Sequence, residues 1–531
     1  MKKTKVMAVA LTALAATSIT ALASCVGGPR DRSFNVDMTV DTRGVKIDLW
    51  TGFGTDVGDA LDAILEDFTA ETGIEVEQTR QGGYDGLQEK INLSAGTSTY
   101  PNVALGYPDH FAGYVRSDII VRLDGYIEND HLIPATREAI DIGGTEIKDE
   151  SDGLFHELPA FNYDDFFEDY TRENETIEFN RETGEGYILG VPFNKSTEVM
   201  VYNKTFFDNA NIKALGIYVP STWDEVKEVG TKILNLLNEK NAFTQILGAD
   251  LNVYKATSDV TAAGTKPLLD LTLVKKEDFR VLSYDSQANF FITAVRQWGG
   301  TYTEFDPETG NGYIAYDSPE TVEALTYLSD LYDDNIIGIP QSFGQTDYCS
   351  DPFKNYLSLL NVGSSAGVTN AVPQGKFEVG AAPIPYKDAE HKYVISQGTN
   401  LCLLDKGSDK ERVASWKLVK YLSQVANDQF AIATGYFPTC ESALNSEDYQ
   451  GYINATTGTA KDMIKRDASK VNSTVYMVPE NDWYKFVDAG FIGSSTIRTT
   501  AGTITAQVFI DHADPQAVID ETLKTLSDYV R

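Results

Sequence analysis

Short apolar runs alternate with amphipathic stretches along most of the chain. Residues 46–50 predict a strand, and apolar side chains then recur at helical spacing over 61–68, where Gly73 predicts the end of a helix. Further strands are predicted at 74–76 and 101–105. Alternation of this kind builds a parallel sheet, and ligands bind beyond the carboxyl ends of its strands. The pattern therefore predicts an α/β fold.

The segment 190–204 shows the sharpest change of pattern. Residues 199–201 are apolar, as in a strand that is buried on both faces. The polar residues 194–197 come just before them and would be costly to bury without partners. Polar groups at the end of a buried strand form either a solvent-exposed loop or the floor of a binding site. We interpret this segment as a crossover between two lobes, with a ligand lying against it.

Length and charge narrow the class of protein. The chain has 531 residues, which is too many for one core, so at least two domains are expected. Its formal net charge is −34, and removal of residues 1–24, which hold three lysines and no acids, leaves −37. Such a surface repels phosphate backbones, so nucleic acid is excluded as a partner. An anionic ligand would need a local cation to hold it.

The N-terminus predicts export. Three lysines within the first five residues precede the apolar stretch 6–21, which is too short to span a membrane and is typical of a secretion signal. The tetrad 22–25, Leu-Ala-Ser-Cys, resembles a bacterial lipobox, which implies cleavage before Cys25 and a lipid on its sulfur. An ordinary signal with an incidental Cys25 is the alternative. Residues 25–44 lack any period and predict a flexible tether.

Catalytic and metal-binding signatures are missing from the sequence. The five histidines form neither H-x-x-x-H nor H-E-x-x-H, and there is no G-x-S-x-G or Walker motif. A glycosidase pair among the 78 acids is not excluded by counting. Cys349, Cys402 and Cys440 are odd in number and widely spaced, so we expect buried thiols, with one bridging pair as the alternative. No metal or cofactor is predicted, and a binding role is favoured over an enzyme.

Several motifs resemble one family. The segment 192–204 reads P-F-N-K-S-T and ends Y-N-K, and residues 435–438 read G-Y-F-P. These resemble the extracellular solute-binding proteins of carbohydrate-type ABC importers (family 1), most closely the glycerol-phosphate-binding branch. The resemblance implies a two-lobed periplasmic-binding-protein-like fold with three interlobe crossings, near 190–198, 373–377 and 434–438.

The resemblance also implies a division of the chain, with two regions that look inserted, at about 137–185 and 238–280. The expected parts are a lipoprotein signal peptide at 1–24, a tether at 25–44, lobe 1 at 45–190 and 377–433, and lobe 2 at 198–372 and 438–531.

Ligand-binding residues follow from the same resemblance. Tyrosines would stack on a sugar, a carboxylate would accept hydroxyl hydrogens, and an arginine would grip phosphate or sugar oxygens. The implied residues are Tyr84, Asp109, Ser196, Ser364, Ser365, Gly398, Tyr436 and Arg498. Each has a plainer alternative as a core or surface aromatic, a helix cap or a surface ion pair. Trp50, Phe53 and Trp483 are further stacking candidates, with core packing as the alternative.

One short internal repeat is separate from these motifs. Ten residues from Phe179 match ten from Phe305 at most positions, and both segments predict glycine-turned hairpins. A calcium loop around Asp306 is the alternative interpretation.

Together these features predict a substrate-binding lipoprotein of an ABC importer. It would capture a carbohydrate or polyol, phosphorylated or not, by hinge closure and deliver it to the membrane permease. We expect a monomer outside the cytoplasm, lipid-anchored to a bacterial membrane. A secreted carbohydrate-active enzyme, such as a lyase or glycosidase, and a surface adhesin or sensor are the alternatives.

Overall fold

The computed structural model describes residues 33–180, 182–239, 276–306 and 309–531. The predicted signal peptide and Cys25 lie outside these ranges, as does most of the second inserted region. No helix within the four ranges is long and apolar enough to cross a bilayer.

The strands are short, except for two that run through the centre of the molecule. They are β1 (Lys46–Thr51), β2 (Glu75–Arg80), β3 (Val103–Gly106), β4 (Thr136–Glu138), β5 (Ile140–Ile142), β6 (Thr145–Ile147), β7 (Leu154–His156), β8 (Val191–Asn203), β9 (Leu282–Tyr284), β10 (Thr303–Asp306), β11 (Asn311–Ile314), β12 (Ile337–Gly338), β13 (Leu360–Ser364), β14 (Val379–Ala382), β15 (Tyr393–Leu403) and β16 (Tyr484–Phe486).

The α-helices lie between these strands and follow the last of them. They are α1 (Thr55–Thr72), α2 (Tyr84–Ser94), α3 (Pro108–Arg116), α4 (Asp124–Asn129), α5 (Glu168–Thr171), α6 (Lys204–Phe207), α7 (Ala210–Ala214), α8 (Trp223–Glu239), α9 (Gln287–Gln297), α10 (Pro319–Asp333), α11 (Ser350–Lys354), α12 (Asp409–Lys420), α13 (Asn427–Thr434), α14 (Glu441–Leu444), α15 (Glu447–Asn454), α16 (Ala460–Val471), α17 (Ser494–Ile510) and α18 (Pro515–Thr525).

Ten strands form one continuous sheet that runs through both lobes. Its order is β12-β9-β13-β8-β15-β3-β1-β2, with β14 also paired to β8 and β16 to β15. Within the first lobe β1 pairs in parallel with β2 and β3, and within the second β9 pairs in parallel with β12 and β13. The predicted α/β, two-lobed fold is confirmed.

The strand β8 belongs to both lobes. Residues 191–197 pair with β15, whereas residues 198–203 pair with β13 and β14. The polar cluster that could have been a loop is therefore the middle of a buried strand of thirteen residues. Burial is possible because its side chains have partners; for example, Thr197 Oγ1 donates to the Ile395 carbonyl at 2.8 Å.

The crossing predicted near 373–377 lies further along the chain. Val379–Ala382 pairs with residues 200–203 and so stands in the second lobe, although the sequence assigned it to the first. The chain returns along β15, whose first residues pair with β16 and whose last residues pair with β3. The last crossing agrees with the expectation near 434–438, since Phe437 N–H donates to the Lys195 carbonyl at 2.8 Å.

The first inserted region, at about 137–185, packs against the interlobe crossings. Lys195 of β8 is buried and its Nζ donates to the Glu173 carboxylate. Lys485 Nζ, from β16, donates to Tyr170 Oη at 2.6 Å. The region that looked like an insertion therefore contributes buried polar partners to the hinge.

The two similar segments meet each other across the lobes. The segment at Phe305 forms the β10–β11 hairpin as predicted, and Phe179 closes a turn by an antiparallel bridge to Gly186. Arg122 Nη2 donates to Glu178 at 2.7 Å and holds that turn in the first lobe. The rings of Phe179 and Phe305 stack with centroids 5.9 Å apart. The contact between these two similar segments therefore links the lobes at a point away from the hinge.

The three cysteines that the structure describes, Cys349, Cys402 and Cys440, are buried and unpaired. They act as small apolar side chains, which was the first of the two expectations.

Candidate functional site

A cavity of about 1470 Å³ lies between the lobes. Residues of the crossings form its floor, and loops at the carboxyl ends of strands together with the first turns of helices form its walls. This is where an α/β sheet is expected to bind a ligand. Seven of the eight residues predicted for ligand binding line the cavity: Tyr84, Asp109, Ser196, Ser364, Gly398, Tyr436 and Arg498.

Two tyrosines from distant parts of the chain meet in the cleft. Tyr84 begins α2, and Tyr436 follows Gly435, whose φ of 90° ends α13. The two hydroxyl oxygens are 3.4 Å apart, and Asn194 Nδ2 donates to Tyr84 Oη at 3.0 Å. Burial raises the pKa of both tyrosines. Both hydroxyls therefore stay protonated at neutral pH and can donate to a ligand.

Phenylalanine rings support these tyrosines from the protein side. Phe430 stacks on Tyr436 with centroids 5.8 Å apart, and Phe53 lies 6.2 Å from the same ring. Because Phe53 is only 5% exposed, it packs in the core rather than offering a face to a ligand. Trp50 does not line the cavity, and Trp483 lines a separate pocket of about 560 Å³.

The predicted serines separate into two environments. Ser364 Oγ donates to Ser196 Oγ at 3.4 Å, and Ser196 Oγ donates to Gln397 Oε1 at 3.5 Å, so these three polar groups lie together in the cleft. Ser365 is fully buried, and its Oγ accepts a hydrogen bond from Thr197 N–H at 3.2 Å. Ser365 therefore links the cavity wall to β8 by a hydrogen bond and does not line the cavity with Ser196 and Ser364.

Gly398 allows β15 to approach β8 closely. Its φ is +96°, and a Cβ at this position would lie 1.9 Å from the Asn194 carbonyl oxygen. Only glycine tolerates both the dihedral and the approach. The cleft floor depends on this close contact, because Gly398 is opposite Lys195 in the strand pairing.

Asp109 stands where the two lobes touch beside the cavity. It lies in the first turn of α3, is 18% exposed, and accepts a hydrogen bond from His110 N–H at 3.0 Å. Gly490 of the second lobe packs against Pro108, where a Cβ would be 2.5 Å from the carbonyl carbon. A ligand that reaches Asp109 would therefore meet both lobes.

Arg498 is connected to a buried carboxylate. Its Nη2 donates to Asn289 Oδ1, and Asn289 Nδ2 donates to Glu198 Oε1 at 3.0 Å. Tyr284 Oη donates to the other oxygen of Glu198. The arginine is thus held by a network inside the cleft, unlike the surface ion pair that was its alternative.

Sequence reasoning missed the carboxylates of the second lobe. Burial raises the pKa of Glu198 to about 7 and that of Asp285 to about 6. Glu198 did carry a signal, since an acid between Thr197 and an apolar run must have buried partners. Asp285 and Asn289 lie in a segment whose sequence pattern gives no indication of a binding site.

Replacing the carboxylate of Glu198 should flatten part of the pH dependence of stability. The folded protein keeps the Glu198 proton up to about pH 7, whereas the ordinary pKa is 4.5. The associated stability is therefore present at low pH and is lost as pH rises to about 7. We expect Glu198→Gln to be more favourable relative to wild type at pH 8 than at pH 5, measured by thermal unfolding.

The matched control is Glu66→Gln, which removes an exposed glutamate on α1. A difference between variant and wild type that is equal at both pH values would contradict the buried-carboxyl interpretation of Glu198.

One group of metal-ligand type lies away from the cleft in the described part of the chain. Asp149, Asp152 and His156 are exposed, and their ligand atoms lie within 4.8 Å of one another. His156 Nε2 is 2.9 Å from Asp152 Oδ2, and Asp149 accepts from Ser151. His156 and Asp152 are paired with each other and Asp149 is paired with Ser151, and we assign the group no role.

The sequence matches the family model of the bacterial extracellular solute-binding proteins over residues 63–457. Among curated proteins, the sn-glycerol-3-phosphate-binding periplasmic protein UgpB of Escherichia coli (strain K12) is 25% identical over 284 residues, which are 51% of this chain and 54% of the relative. The chain spans about half the length of the curated relatives it matches.

Solved structures show the same fold at lower identity. UgpB from Mycobacterium tuberculosis, in complex with glycerophosphocholine, is 16% identical with a TM-score of 0.63, covering 91% of this chain and 98% of the relative. The GacH receptor of Streptomyces glaucescens, solved unliganded and with acarbose, is 16% identical with a TM-score of 0.59, covering 91% and 99%. A solute-binding protein from Agrobacterium radiobacter K84 in complex with ribitol is 17% identical with a TM-score of 0.55, covering 91% and 98%. With the two lobes and the cleft between them, the family match shows that the chain belongs to the bacterial extracellular solute-binding proteins.

Proposed function

We propose that this protein is the substrate-binding component of an ABC importer and captures a carbohydrate or polyol between its lobes. The observation that carries the proposal is the cleft, where tyrosines, serines, amides and one arginine converge on a cavity of about 1470 Å³. Aromatic faces bind the C–H surfaces of sugars, and the polar groups pair with hydroxyls.

Related proteins support this choice of ligand. Three related solved structures contain bound glycerophosphocholine, acarbose and ribitol, respectively. The cavity is larger than the roughly 300–1,000 Å³ of most small-molecule pockets, which favours a ligand of more than one sugar ring.

The mechanism would be hinge closure at the three crossings. A ligand favours the closed form only if it gains contacts there that the open form lacks. Tyr84 and Asp109 belong to the first lobe and Arg498 to the second, so a ligand touching all three stabilises closure. The closed form would then dock on the membrane permease and release the ligand unaltered.

The remaining parts of the proposal concern the chain outside and around the cleft. Residues 1–24 would be a signal peptide and Cys25 would carry the lipid anchor. Met38 and Thr42 are buried in the folded protein, contrary to the flexible tether expected over 25–44, so only the part before Met38 would tether a monomer to the outer surface of a bacterial membrane. If the second crossing runs along β15, the lobes would comprise residues 45–197 with 398–437 and residues 198–397 with 438–531.

A thermal-shift screen of sugars, polyols and their phosphates, followed by calorimetry, tests the function. A bound solute should raise the unfolding temperature by mass action. Tyr436→Ala should weaken the binding of that solute by about tenfold or more, because it removes a partly exposed aromatic face and a hydroxyl from the floor.

Tyr218→Ala is the control, since Tyr218 is 38% exposed and lies outside the cavity. Binding that is unchanged in Tyr436→Ala would place the site elsewhere. Formation of new reducing ends from oligosaccharides would instead indicate an enzyme.

A further inference from the structure

Carboxylates outnumber cations along the cleft. Six acidic residues line the cavity, and Arg498 is the one lysine or arginine among its described lining residues. Asp488 is paired with Arg296, and burial raises the pKa of Glu198 to about 7. Four carboxylates still face one guanidinium when these two are set aside: Asp85, Asp109, Asp285 and Asp347.

Two of the helices whose first turns line the cleft carry a carboxylate at the positive end, whereas the first turns of α9 and α17 carry none. Asp85 lies in the first turn of α2 and Asp109 in the first turn of α3. Carboxylates at these positions interact favourably with the helix dipole, so they take the place that a ligand anion would occupy. An anion entering beside them would meet like charge instead.

The guanidinium of Arg498 is also committed to protein groups. It donates to Asn289, and it is close enough to Glu198 and Asp488 to lower the pKa of each against the effect of burial. Its charge is therefore shared among neighbours on the protein. Of the three serines that the resemblance assigned to the ligand, Ser365 is buried behind the wall, so only Ser196 and Ser364 line the cleft.

Resting on the proposed sugar-binding function, we propose that the cleft takes an uncharged or cationic hydroxyl-rich solute and discriminates against anionic forms such as sugar phosphates and uronates. Carboxylates accept hydrogen bonds from sugar hydroxyls or from an amino-sugar ammonium, and the tyrosine faces suit both. The acidic surface of the whole chain acts in the same direction by repelling anions during approach.

The experiment compares neutral probes with charged derivatives of the same carbon skeleton. Calorimetry would use cellotriose, its C6-carboxylated form and the deacetylated chitosan trisaccharide. It would also use maltotriose with its phosphorylated form, and glycerol with sn-glycerol 3-phosphate. We expect the anionic member of each set to bind at least about tenfold more weakly than its neutral parent. The gap should narrow at high salt, because screening weakens charge repulsion.

A charge-neutral variant sharpens the comparison. Asp109→Asn should narrow the gap between neutral and anionic probes, whereas Glu66→Gln, exposed and outside the cleft, should leave it as in wild type. An anionic probe that binds as tightly as its neutral parent, or more tightly, would overturn the charge selectivity and leave the proposed function standing. Binding of none of the neutral, cationic or anionic probes would overturn both.

Discussion

Gly398→Ala should be among the most damaging single substitutions in this protein. The new Cβ would lie 1.9 Å from the Asn194 carbonyl oxygen and 2.8 Å from the Lys195 Cα, both backbone atoms of β8. Both strands are buried, and their pairing with each other on either side of Gly398 opposes a shift of one away from the other. We expect a loss of at least about 4 kcal/mol in the free energy of unfolding, measured by urea titration.

Gly44→Ala separates the two sources of this cost. Gly44 has a φ of +79° but nothing within 4 Å of a built Cβ, so it tests the dihedral alone. That variant should lose only about 1–2 kcal/mol. Equal losses at the two positions would mean that the close approach of the strands contributes nothing.

Lys195→Ala should destabilise the hinge by about 3–5 kcal/mol. Lys195 is fully buried, and the Glu173 side chain is 4% exposed. Removing the lysine leaves a buried carboxylate whose remaining close donor is Asn400 Nδ2 at 2.6 Å. The measurement is the free energy of unfolding at neutral pH.

The double variant Lys195→Met with Glu173→Gln removes both charges and should recover most of that loss, since no unpaired ion remains. The surface pair Lys204–Asp208, with side chains 43% and 44% exposed, is the control, and Lys204→Ala should cost at most about 0.5 kcal/mol. A double variant as unstable as Lys195→Ala would show that packing, and not charge, sets the cost.

Local patterns predicted the elements whose boundaries are set locally. The helix that ends at Gly73 is one example, because the apolar spacing and the left-handed glycine both lie within the segment itself. The crossing in β8 was also located, but its polar residues were not recognised as strand. Their partners, Glu173 and Thr399, are distant in sequence.

The sequence did not predict which segments contact each other in the folded protein. The apolar residues 379–382 suit a strand in either lobe, and nothing within them states that their neighbour is β8. The same holds in the site. The tyrosines and Arg498 were implied by the resemblance to the family, whereas the hydrogen bonds that join Arg498 through Asn289 to Glu198 form only after folding brings these residues together.

Strands from early in the sequence pair with strands from late in the sequence. This pairing constrains the order in which the fold can form. Val103 of β3 pairs with Leu403 of β15, so the inner edge of β3 stays open until most of the chain has been synthesised. Such non-local pairing slows folding and leaves strand edges exposed to aggregation. A nascent chain that is still unfolded for this reason is also one that can still be threaded through a narrow pore.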